Sequence, residues 1–97
     1  MKESRLQANI IQWLNTLPNT KAINIHGNQF MEAGTPDIFC VRNGQAYLFE
    51  VKIPAGKVSR IQEHRIAQWR TAGATAQVVR SLKEVKEILG EQSSEDE

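Results

Sequence analysis

The first apolar pattern along the chain is helical. Leu6, Ile10, Trp13, Leu14 and Leu17 recur at i, i+4, i+7, i+8 and i+11, one face of a helix over residues 3–16. Pro18-Asn19 stops it. Over 21–27, Ile23 and Ile25 alternate with polar neighbours, the period of a strand, and 28–35 reads as a loop around Gly34. Two apolar, β-prone runs follow, 36–42 and 46–53, and Asn43-Gly44 between them predicts a hairpin. After a loop at 54–58, Ser59 is placed to cap a helix over 60–72, with Gly73 just past its end. A short strand at 76–80 leads to Ser81-Leu82-Lys83-Glu84, a capping box opening a last helix with Leu82, Val85, Ile88 and Leu89 inward. The order α-β-β-β-α-β-α predicts an α/β fold: a mixed sheet flanked by helices.

Composition narrows the class. Ninety-seven residues, 40% of them hydrophobic, make one domain with a modest core. The single cysteine, Cys40, leaves no intramolecular disulfide and no Cys-rich zinc site, and reads as a small buried hydrophobe. An intracellular, cytoplasmic setting is expected. No apolar run approaches the roughly 18 residues of a membrane span, and the charged N-terminus does not read as a signal peptide. The net charge of +1 conceals an asymmetry. Gly90–Glu97 holds four of the eleven acids and no base, so 91–97 is expected to be a disordered acidic tail on a domain spanning 1–90. The remaining body carries twelve basic against seven acidic side chains, a sign that suits a polyanion, although a solvated helix face would look the same.

The candidate chemistry gathers around the hairpin. Asp37 opens the second strand, and Glu50 and Lys52, two apart on the third, point to one face. Phe49, Val51 and Ile53 point to the other face, which must be buried. Pairing about Asn43-Gly44 brings Asp37 to the level of Glu50 or Val51. Two carboxylates and an ammonium thus converge on a patch that could hold a hard cation such as Mg²⁺. The plainer alternative is an ion pair on an open sheet face with Asp37 as a turn residue.

Gly34-Thr35-Pro36-Asp37 followed by Phe49-Glu50-Val51-Lys52 resembles the G-x-P-D…E-V-K signature of the PD-(D/E)xK nuclease superfamily. Within it the chain is most similar to small stand-alone phage members of the VRR-NUC family. Glu3, Gly56-Lys57, Ser59, Gln62 and Gly73 extend the resemblance over nearly all of residues 3–90. It implies a restriction-endonuclease-like αβββαβ core with an added C-terminal helix. It also implies that Asp37, Glu50 and the Val51 carbonyl hold Mg²⁺, with Mn²⁺ as a substitute, that Lys52 is catalytic, and that Glu3 approaches the metal directly or through water. Glu3 also stands on its own footing, because it shares the apolar helix face with Leu6, Gln7, Ile10 and Leu14. A carboxylate there needs a partner, unless it serves only the helix dipole.

Gln62 has two readings. Ser59-x-x-Gln62 is a capping box, whereas the resemblance places Gln62 in the active site, and one residue cannot easily do both. Lys57, Arg60, His64, Arg65 and His26 are candidates for DNA contact. Trp13 and Trp69 fall at helical apolar spacing and are expected to pack. The expected function is a Mg²⁺-dependent endonuclease on branched DNA such as a four-way junction, acting as a homodimer. The alternatives are a catalytically inactive nucleic-acid-binding module of the same fold, a nuclease without structure specificity, or an interaction domain in which the trio is a surface ion-pair network.

Overall fold

A computed structural model describes residues 1–25 and 31–91. Helix α1 (Glu3–Leu14) is followed by strands β1 (Thr20–Asn24), β2 (Ile38–Arg42) and β3 (Gln45–Val51). Helix α2 (Arg60–Thr71), strand β4 (Thr75–Val79) and helix α3 (Leu82–Ile88) complete the chain. The predicted element order holds, with each element trimmed or shifted by a few residues at its ends.

The sheet runs β1-β2-β3-β4, antiparallel between β1, β2 and β3 and parallel between β3 and β4. The β2–β3 turn is the predicted hairpin. Asn43 (φ 50°) and Gly44 (φ 81°) both take left-handed backbone, and Arg42 pairs with Gln45. That register carries down to Ile38 opposite Phe49, so Asp37 arrives level with Glu50.

Helices α1 and α3 cover one face of the sheet. Leu6, Ile10, Leu14, Ile38, Cys40, Phe49, Val51, Val79 and Val85 are buried together there. Helix α2 packs on β3 and β4 from the other side, over a thinner cluster of Leu48, Ile66 and Ala76. Because α2 reaches only those two strands, Ile23 on β1 is 44% exposed, although its spacing marks it as apolar-face. The outer edge of β1 is closed instead by Asn15. Its side-chain amide donates to the Ala22 carbonyl (3.0 Å) and accepts from the Ala22 N–H (2.9 Å), taking the place of another strand.

Trp13 packs half-buried under the Lys86 ammonium, 5.3 Å from the ring centre, but Trp69 lies exposed on α2. At α3 the capping box is displaced by one residue. Glu84 N–H donates to Ser81 Oγ, but the Glu84 carboxylate accepts from Arg80 N–H (2.7 Å) rather than from Ser81. Glu91 forms an ion pair with Arg42, so the chain is tied to β2 up to that residue. The rest of the predicted acidic tail, 92–97, lies outside the described residues. None of the helices among those residues is long and apolar enough to cross a membrane.

Candidate active site

Asp37 is held by backbone on both flanks. Its N–H donates to the Phe49 carbonyl (3.0 Å) and its carbonyl accepts from the Ile25 N–H (2.9 Å). The carboxylate Oδ2 accepts from the Val51 N–H (2.8 Å), pinning Asp37 to the end of β3. The approach to Asp37 depends on Gly34 (φ 82°). A Cβ there would come within 2.8 Å of the Ile61 carbonyl, so the loop passes directly against α2.

Glu50 is only 2% exposed, which corrects the expectation of an open sheet face. β3 is central, and α2 roofs the face that Glu50 and Leu48 share. Glu50 Oε2 accepts from the Gln62 amide (3.0 Å) and lies 3.6 Å from Lys52 Nζ. Oε1 is buried with no hydrogen-bond partner. Burial, and then the Asp37 carboxylate beside it, push the Glu50 carboxyl up to about 8, with Lys52 pulling the other way.

Gln62 makes the predicted capping box and also reaches the Glu50 carboxylate. Its amide oxygen accepts from the Ser59 N–H (2.9 Å), its backbone N–H donates to Ser59 Oγ (3.2 Å), and its amino group reaches Glu50. A primary amide has an acceptor at one corner and donors at the other, so capping orients the donor toward the carboxylate. The expected conflict does not arise.

Glu3, at the head of α1, lies over the loop after β3. A Cβ on Gly56 would sit 3.0 Å from Glu3 Oε2 and 3.5 Å from Lys52 Cβ, so the carboxylate and the lysine stem meet at that glycine. Glu3 does not join Asp37 and Glu50 in a three-carboxylate cluster. Among the described residues no three His, Cys, Asp or Glu side chains converge as a metal cage. Among the described residues, Asp37, Glu50 and the Val51 carbonyl are the groups that could hold a cation, with water to complete a shell. The partnerless Glu50 oxygen, buried beside a second carboxylate, fits a hard cation. Gln7, on the same helix face as Glu3, accepts from Asn24 (2.6 Å) and is a structural link.

The remaining candidates separate. Lys57 is exposed on the loop after Gly56. Arg60 and His64 are exposed and stand on the side of α2 opposite Gln62 and Ile66, since residues two apart on a helix lie about 200° apart. Arg65 donates to the Ala33 carbonyl (2.9 Å) and pairs with Glu32 (3.1 Å), which fastens the 32–35 turn to α2. His26 lies outside the described residues. One residue that carries no motif, Arg80, grips the loop after Lys52 through three backbone carbonyls. Backbone partners leave no trace in a sequence pattern, so nothing pointed to it.

The four-stranded mixed sheet and its flanking helices form an α/β structure with a restriction-endonuclease-like core. Two solved structures share it. One, described as a VRR_NUC domain, superposes with a TM-score of 0.75 at 22% identity over 94% of this chain and 97% of its own. The other, described as a VRR_NUC domain protein, gives 0.71 at 16% identity over 93% and 86%. The chain therefore has the VRR-NUC fold. No family model and no curated protein matches it.

Proposed function

We propose that this protein is a Mg²⁺-dependent endonuclease that hydrolyses DNA phosphodiester bonds. The observation that carries the reading is Glu50: a buried carboxylate with one partnerless oxygen, set against Asp37 with Lys52 3.6 Å away. Such an arrangement is costly as a structural device, since two acids repel and one oxygen is unsatisfied. Asp37, Glu50 and the Val51 carbonyl would hold Mg²⁺, or Mn²⁺ in its place. The bound cation would polarise the phosphoryl oxygen and acidify water.

The side chains supply the rest. Lys52 Nζ orients the attacking water and offsets negative charge growing on the phosphate. Gln62 fixes Glu50 through Oε2, so that Oε1 is the oxygen that would serve the cation. Glu3 and the Lys52 stem both lie close to Gly56, at the edge of the site. Lys57, exposed on the adjoining loop, would hold a backbone phosphate without reading sequence.

Branched DNA as substrate rests on the resemblance and on size, because one small cleft does not span a junction. A two-fold homodimer would present two sites to opposed strands. Among the large exposed apolar side chains, Ile23 lies on β1 and Ile61 and Trp69 on α2, while none lies on α1 or α3, which favours a surface on β1 and α2 for it. An intracellular location goes with this substrate.

The test is cleavage of labelled four-way junction, flap, duplex and single-stranded DNA with and without Mg²⁺. Wild type should cut only with the metal. Lys52→Ala should lose cutting by roughly 100-fold or more while still binding DNA. Cutting by Lys52→Ala at the wild-type rate would remove the lysine from the mechanism. A protein that binds DNA but neither cuts it nor takes up Mg²⁺ or Mn²⁺ would be the inactive module.

A further inference from the structure

The loop that leaves β3 has an unusual anchor. β3 and β4 run parallel, with Val51 beside Val79, so no hairpin holds the chain where β3 ends. The register continues one step, as Lys52 N–H donates to the Val79 carbonyl (3.0 Å), and there the ladder stops. Arg80 is the first residue past the neighbouring strand. Its guanidinium Nη1 donates to the carbonyls of Ile53 (2.9 Å), Pro54 (3.2 Å) and Gly56 (2.7 Å). The same turn is closed by Gly56 N–H on the Ile53 carbonyl (2.8 Å).

Carbonyl dipoles converging on one cationic nitrogen make charge-assisted bonds, stronger than neutral ones. Nη1 has two hydrogens for three acceptors, so at least one hydrogen is shared. Arg80 lines a cavity with Leu6, Ile53 and Leu82. Beside the gripped carbonyls, Gly56 meets Glu3 Oε2 and Lys52 Cβ. Gly56 therefore lies between the guanidinium that holds its carbonyl and the two site residues close to its Cα.

We propose that Arg80 is a positioning residue: by holding the carbonyls of residues 53, 54 and 56 it sets the loop against which Lys52 and Glu3 are packed, and so aligns Lys52 without touching the substrate. The consequence for catalysis rests on the nuclease reading; the latch rests on the bonding geometry alone.

Hydrogen exchange and cleavage kinetics on Arg80→Met and Arg80→Lys test the two parts separately. Met keeps the apolar stem and removes the donors; Lys restores a cationic head with three hydrogens for three carbonyls. In Arg80→Met, exchange at the Gly56 amide should accelerate while the Ile10 and Phe49 amides stay protected. Its kcat should fall roughly 10- to 100-fold, the scale of a small misplacement, with KM for DNA unchanged. Arg80→Lys should recover much of both. Unchanged exchange at Gly56 in Arg80→Met overturns the latch. An unchanged kcat, or a loss confined to KM, overturns the positioning role. A wild type that cuts no DNA sinks the nuclease reading and the positioning role with it, while the exchange measurement still decides the latch.

Discussion

β3 serves two faces that differ in kind. Phe49 and Val51 point into a dry core with Ile10, Leu14, Ile38 and Val85, all fully buried. Glu50, between them in sequence, points the other way, into a small polar chamber under α2 with Asp37, Gln62 and Lys52. The apolar part of that second face is thin, chiefly Leu48, Ile66 and Ala76. The α1/α3 face supplies the cohesion that lets the α2 face carry two mutually repelling carboxylates. Because β3 is common to both, the strand that presents Glu50 is packed on both of its faces.

That division can be tested by changing one residue on each face. Phe49→Ala, on the dry side, should cost about 3–5 kcal/mol, read by urea denaturation, and should leave a protein near the limit of folding. A milder loss would show that the α1/α3 face is not the main support. Glu50→Gln, on the polar side, should do the reverse and raise the melting temperature of the metal-free protein while abolishing cleavage and metal binding.

The same contrast predicts a pH dependence. Folded Glu50 titrates at about 8 against an ordinary 4.5, so between those values the folded state binds the extra proton. Its contribution to stability is complete below about pH 4.5 and is lost as pH rises to about 8. Melting in EDTA should therefore fall over that window in wild type, more steeply than in Glu50→Gln. Divalent-cation binding should release a proton there, measurable by calorimetry in buffers of differing ionisation enthalpy. Equal pH slopes for the two proteins would mean that Glu50 is not the group responsible.

The smallest expected effect sharpens the roof of the chamber. Ser59→Ala removes the Oγ acceptor at the head of α2 but keeps the backbone N–H that orients the Gln62 amide. It should cost about 1 kcal/mol in stability and leave metal affinity near wild type. Gln62→Leu loses the bond to Glu50 as well and should weaken Mn²⁺ binding in the same titration.

The register of Asp37 against Glu50 was legible because it is arithmetic within one hairpin. Asn43-Gly44 names its own turn type, and counting back from it brings Asp37 level with Glu50. Helix faces were legible for the same reason: Leu6, Ile10 and Leu14 repeat with the helical period and are buried. Ile23 shows where such local rules end. Its alternation is that of a strand, yet its exposure depends on α2 covering β3 and β4 and not β1.

Sequence alone determined the element order, the hairpin register and the side-chain trio that the hairpin assembles, since turn chemistry and side-chain periods act over a few residues. Only tertiary structure decided that Glu50 is enclosed, that Gln62 serves helix and carboxylate together, and that Arg80 braces the loop beyond Lys52. Those outcomes depend on which strands become neighbours and which helix lies above them. They are bonds to distant side chains and to backbone carbonyls, which every residue type possesses and no spacing can encode.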